Sequence, residues 1–158
     1  MNTAYFLIGV PGSGKSTWAD QKIRDFPDIA HISTDKYIED LAKKQGVTYS
    51  DMFSHVYGDA CDAMSAALQA AFDNEHDIIW DQTNMSAKSR KSKISKLKAA
   101  GYKIVAVVFK VDRSELDRRL EHRRLTTGKN IHPHVVDSML ETYVEPTLDE
   151  GFCGIIFV

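Results

Sequence analysis

Cysteine is scarce in this sequence. Only Cys61 and Cys153 occur, without metal-type spacing, and two thiols build no disulfide framework. That scarcity excludes a disulfide-stapled secreted scaffold and points to a reducing cytoplasm. Long apolar runs are also missing. The longest clean one, residues 104–109, is far too short to span a membrane. No N-terminal signal pattern is visible, because a strand-like run begins within a few residues of Met1. Repeats, linkers and low-complexity tracts are absent, so 158 residues argue for one domain over 1–158. Neither sign of charge dominates. A net charge of −2 does not mark a general polyanion binder, although a local basic patch would suffice for one. What remains is an ordinary globular composition, 43% hydrophobic and 27% charged, sufficient for a proper core.

Against that background one stretch carries specific chemistry. Residues 9–16 read GVPGSGKS, the phosphate-binding pattern G-x-x-x-x-G-K-[ST], and Thr17 follows. Gly9, Gly12 and Gly14 let the backbone curl around an anion without Cβ clashes. The loop from Gly9 through Pro11, Ser13 and Thr17 turns its N–H groups toward phosphate oxygens. Lys15 is placed to reach the β- and γ-phosphates, and the Ser16 hydroxyl to bind Mg²⁺. The flanks agree: residues 4–10 form a short apolar run fit for a buried strand, and 16–23 lack Gly and Pro.

Strands are predicted at 4–10, 29–32, 77–80, 103–110 and 154–157. Helices are predicted near 15–25, 36–45, 50–73, 86–99, 113–124 and 133–142. Continuous apolar strands alternating with helices predict an α/β fold, a five-stranded parallel sheet between helices. Ligands in such sheets bind beyond the carboxyl ends of the strands. Three predicted strands end in polar groups there: the phosphate loop, residues 31–35 (HISTD) and residues 81–84 (DQTN).

Asp81 stands where phosphate-loop proteins keep a strand-end carboxylate for Mg²⁺; a solvated turn aspartate is the alternative. Thr83 and Asn84 either order that turn or touch substrate. Asp35 could accept a proton from an attacking hydroxyl, or could simply begin a helix capped by Ser33, Thr34 or itself. Residues 114–128 hold Arg118, Arg119, Arg123 and Arg124 among acids. Arg119 and Arg123 lie four apart and share a helix face, suited to neutralising a transferring phosphoryl group. With a mobile loop over 126–130 they predict a lid, Arg123 before Arg119; an ion-paired surface helix is the other reading. The acid-free run from Lys88 to Lys98 could meet a polynucleotide backbone or be a solvated face. Tyr49, Phe53 and Tyr57 read as a core stripe rather than a base-stacking face. His132 and His134 read as a loop and helix start, not a metal pair.

Taken together, GVPGSGKSTWA (9–19), HISTDKY (31–37), DQTNMSAKSR (81–90), ELDRRLEHRR (115–124) and VEPTLDEGF (144–152) resemble the kinase domain of 5′-hydroxyl polynucleotide kinases. The resemblance spans nearly the whole chain. It implies ATP as donor, Mg²⁺, and γ-phosphate transfer to a hydroxyl, first the 5′-OH of DNA or RNA. It implies Asp35 as general base, Arg123 as a phosphate clamp and Asp81 near metal or substrate. Ile38 and Thr34 depart from the pattern, standing where the phage enzymes carry acceptor-side arginines. That departure favours a small-molecule hydroxyl, such as a nucleoside or hydroxymethylated base. An ATPase switch without acceptor is the remaining alternative.

Overall fold

The computed structural model describes all residues, 1–158. Five strands form one parallel sheet: β1 (Thr3–Ile8), β2 (Ala30–Ile32), β3 (Ile78–Trp80), β4 (Lys103–Val108) and β5 (Gly154–Phe157), in the order β2-β3-β1-β4-β5. Six helices connect them: α1 (Lys15–Asp25), α2 (Thr34–Gln45), α3 (Tyr49–Asp73), α4 (Ala87–Ala99), α5 (Arg113–Thr127) and α6 (Pro133–Thr142). A 3₁₀ turn, Leu148–Glu150, precedes β5. This is the expected P-loop α/β architecture. No helix is long and apolar enough to cross a membrane.

The period-two alternation of β1 divides the core. Ala4, Phe6 and Ile8 join a large cluster with Ile78, Leu97 and Ile104 on one face, beneath α3 and α4. Leu7 points the other way and packs with Ala19, Ile79 and Val107 under α1. Right-handed crossovers require this split. From β1 the chain winds outward to β2, and from β3 it winds back across β1 to β4. The winding therefore reverses beside β1, which opens a crevice past its carboxyl end.

Helix starts follow local chemistry. Ser33, Thr48 and Ser86 cap α2, α3 and α4, each accepting a backbone N–H three residues on. β1 and β4 each stop two residues before the sequence pattern does. Gly9 and Val10 already belong to the turn, and Phe109 packs under α1. The helix predicted over 113–124 instead runs on to Thr127, closed by left-handed Gly128.

Candidate active site

The loop between β1 and α1 is a tight cradle. Gly12 and Gly14 sit at φ +83° and +106°, conformations that side chains rarely tolerate. A Cβ on Gly9 would fall 2.6 Å from Ser13 Oγ and 3.0 Å from Phe109 Cβ. Ser13 Oγ is buried without a hydrogen-bond partner, a polar atom suited to an incoming anion. Lys15 donates to the carbonyls of Gly9 (2.8 Å) and Val10 (3.0 Å). Burial lowers its pKa to about 8, against the opposing pull of Asp81 and Asp35. Ser16 and Thr17 are exposed at the mouth, on the N-terminal turn of α1. Free N–H groups and the helix dipole favour negative charge there.

The segment after β3 braces this cradle. Asn84 is buried at φ 51°, and its amide donates to Leu7 O at 2.8 Å. Gly9 N donates to Thr83 O at 3.0 Å. Of the two readings of Thr83-Asn84, ordering the turn is the one the geometry supports. Asp81 Oδ2 lies 2.9 Å from His31 Nε2, so the ends of β2 and β3 are cross-linked at the cleft floor.

Ser33 takes the cap of α2, which leaves Asp35 free to face the cleft. Its Oδ1 accepts from the Tyr49 hydroxyl at 2.6 Å, and its Oδ2 accepts from Lys129 Nζ at 3.0 Å. Burial raises the carboxyl pKa, but Lys129 and the Tyr49 hydrogen bond outweigh it and hold the acid below its ordinary value. Burial and the Asp35 charge push the Tyr49 phenol far up, so it stays a neutral donor.

From α5, Arg119 donates to Gly12 O at 3.2 Å while pairing with Glu115. Arg123 reaches Glu39 at 3.4 Å. Arg124 pairs with Glu121 and does not line the cleft. The shared face of 119 and 123 thus turns inward, over a cavity of about 850 Å³ lined also by Lys15, Asp35, Asp81 and Lys129.

Several expectations need correction. Residues 126–130 are not a free loop: Gly128 O accepts from Ser50 Oγ at 3.0 Å, Asn130 N donates back to it at 3.2 Å, and Lys129 is buried. The basic run is not one face. Arg90 is fully buried, bonding both Glu150 oxygens and the carbonyls of Asn84 and Met85. Lys93 donates to Asn84 Oδ1 at 2.7 Å, and burial lowers its pKa to about 8. None of this run lines the cleft. Phe53 and Tyr57 are exposed, so the aromatic stripe is not core. His132 and His134 do flank the start of α6. Sequence reasoning places Tyr49 in a core stripe, Lys129 in a loop and His31 at a polar strand end, and gives Glu39 no role; it puts none of them beside Asp35 or Asp81.

The donor set suits Mg²⁺ only in company. No group of three or more His, Cys, Asp or Glu is placed to hold a metal by itself. Ser16 and the strand-end carboxylate of Asp81 line the same cavity. That fits an ion which shares phosphate oxygens and keeps its waters.

A family model described as an AAA domain matches residues 5–146. Among curated proteins, heterogeneous nuclear ribonucleoprotein U-like protein 2 of Mus musculus is 24% identical over 146 residues. That match covers 89% of this chain but only 19% of the mouse protein. Among solved structures, a candidate kinase from Chloroflexus aurantiacus is similar at TM-score 0.73 and 13% identity, covering 99% of this chain and 84% of that one. A fungal RNA kinase is similar at TM-score 0.59 and 18% identity, covering 99% and 75%. These likenesses establish a P-loop kinase-like fold.

Proposed function

The chain belongs to the AAA domain family, and from that premise we propose that it is a kinase, transferring the γ-phosphate of ATP to an alcohol. One observation carries the reading: an anion cradle and a carboxylate on a separately capped helix line a single cavity. The cradle amides, Lys15 and Ser13 bind the triphosphate. Ser16 and Asp81 would hold Mg²⁺, which supplies charge neutralisation on the β- and γ-oxygens. Asp35 accepts the hydrogen bond of the acceptor hydroxyl and so aims its oxygen at the γ-phosphorus. The new O–P bond forms as the bond to the β-phosphate oxygen breaks. ADP leaves with the electron pair, and the hydroxyl proton passes to Asp35. A weakly basic carboxylate suits a loose transition state, in which alignment matters more than early deprotonation. Arg123, with Arg119, neutralises the charge that develops on the transferring group.

Two acceptor classes fit this chemistry. The 5′-hydroxyl of a polynucleotide is supported by the resemblance to polynucleotide kinases and by the fold shared with a fungal RNA kinase. A small alcohol is favoured by the site itself. Ile38 is wholly buried between α2 and α3, and Arg90 and Lys93 serve the fold. The deciding experiment offers γ-labelled ATP with 5′-hydroxyl oligonucleotides, nucleosides and simple alcohols. Label on any of them, lost in Lys15→Ala, supports the kinase. Acceptor-independent ATP hydrolysis that survives Asp35→Asn would instead mark an ATPase switch.

A further inference from the structure

We propose that Glu39 is a positioning residue for the transfer: it holds Arg123 until a nucleotide arrives and then draws Lys129 away from Asp35, so that the base is freed once a donor is in place. The proposal deepens the kinase reading and rests on Asp35 and Arg123 serving that reaction.

Glu39 follows Asp35 by one helical turn, and both line the cavity. Ile38 and Ala42 pack against Met52 and Ala60 of α3, which leaves the face of 35 and 39 to the cleft. Two cations from different segments meet on one oxygen of Glu39. Arg123 Nη2 reaches it from α5 at 3.4 Å, and Lys129 Nζ from the connection to α6, also at 3.4 Å. Both distances exceed the roughly 2.7–2.9 Å of a strong charge-assisted bond, so neither cation is held tightly. Lys129 sits closer to Asp35 Oδ2, at 3.0 Å, and Tyr49 occupies Oδ1 at 2.6 Å. Both oxygens of Asp35 are therefore engaged before an acceptor hydroxyl arrives. Ser50 pins the chain on either side of Lys129, so the ammonium shifts by its own side-chain torsions rather than by withdrawal of the backbone.

Charge decides how this cluster responds to a ligand. Arg123 makes no ion pair with Asp35; its link to the base runs through Glu39. A triphosphate on the cradle offers Arg123 a far stronger anion than one loosely held carboxylate. Once Arg123 turns to it, Glu39 keeps a single cation, Lys129. That lysine is only 4% exposed, and a buried ammonium does not give up its counter-charge cheaply. It leaves Asp35 only for another carboxylate, and Glu39 is the one within reach. Burial separates this case from an exposed ion pair, which exchanges freely with water. Lys129 thus has two seats, and the nucleotide biases it toward Glu39 by removing the competing guanidinium. Freed of Lys129, Asp35 has an open oxygen and a higher proton affinity as the acceptor hydroxyl arrives. The other charged groups around Asp35 are committed elsewhere. Lys15 bonds the carbonyls of the cradle, Asp81 is joined to His31, and Lys36 pairs with Asp40.

The test uses the whole chain with Mg²⁺ and a non-hydrolysable ATP analogue. In crystals of that complex Arg123 should reach the γ-phosphate, and Lys129 Nζ should stand nearer Glu39 than Asp35, the reverse of the present 3.4 and 3.0 Å. With the same ligand, Glu39→Gln should leave Lys129 on Asp35. Proton affinity is read separately, from the ¹³C shift of the Asp35 carboxyl in the nucleotide-free chain. Arg123→Ala imitates the departure of the guanidinium and should raise that affinity roughly threefold or more. In a Glu39→Gln background the same change should add little, since the coupling passes through Glu39. Three results would overturn the proposal: Arg123 still on Glu39 beside the bound analogue, Lys129 unmoved from Asp35 while Arg123 holds the phosphate, or an Arg123→Ala effect that is absent or equal in both backgrounds. The two readings fail separately. If Lys129 changes seats but no acceptor is ever labelled from γ-labelled ATP, the kinase alone is lost. If label is transferred while Lys129 stays on Asp35, only the role of Glu39 is lost. An analogue that leaves the cradle empty would sink both.

Discussion

Asp35 owes its character to two side chains that lie 14 and 94 residues away in sequence. Tyr49 aims the carboxylate, and Lys129 with the Tyr49 hydrogen bond holds its pKa below the ordinary value. The sign of the consequence is definite. A carboxyl held below its ordinary value contributes stability above that value and loses it as pH falls through the lowered one. Replacing Lys129 by Met removes the largest of the influences that lower the carboxyl pKa, so it rises. The acid limb of the kcat/KM profile should then move to higher pH, with Lys129→Arg restoring it in part. An unmoved limb would mean that Asp35 is not the group titrating. Asp35→Asn should lose turnover while nucleotide binding persists, measured by calorimetry. Equal loss of both would assign Asp35 to the fold. On α5, Arg123→Ala should lower turnover by about a hundredfold or more. Arg118→Ala should do less, because Arg118, although it borders the cavity, is 71% exposed and tied to Glu115. Indistinguishable effects would remove the phosphate-clamp role of Arg123.

At the scale of elements, α4 shows why composition misleads. Its basic residues read as one run, yet Arg90 points into the protein and clamps the turn after β3 to the Leu148–Glu150 turn. Glu150→Ala would leave a fully buried guanidinium without its counter-charge. Allowing for the partial exposure of Glu150, the loss should approach about 3 kcal/mol, read as a lower urea midpoint at unchanged slope. A change under about 0.5 kcal/mol would class the pair with surface bridges. What the sequence reveals and what it hides divide along this line. The cradle is legible because its chemistry is contiguous from Gly9 to Thr17, and the strands because two-sided burial makes continuous apolar runs. Arg119 and Arg123 are legible as helix neighbours. Lys129, the His31–Asp81 contact and the bracing by Asn84 are not, since each joins segments that only the crossovers bring together. Ile38 and the exposed rings of α3 escape for a related reason: helical spacing fixes a shared face but not which face meets the core.

For the molecule as a whole, β1 is the common element. Its alternate residues anchor the clusters on both faces of the sheet, and its end turns into the anion cradle. A ligand gripped there should stabilise the entire chain rather than a local lobe, and unfolding should be a single transition over 1–158. Mg-ATP at about a hundred times its dissociation constant adds roughly 2.7 kcal/mol. For a chain of this size that raises the melting temperature by about 5–10 °C. The cradle and the carboxylate separate cleanly in this measurement. Lys15→Ala should abolish the shift, because the cation and its place in the loop are both lost. Asp35→Asn should keep it, because the triphosphate is held from the other wall. A nucleotide that stabilised both variants alike would bind somewhere other than the loop from Gly9 to Thr17. A nucleotide that stabilised neither would make Asp35 part of the grip and leave the acceptor without its base.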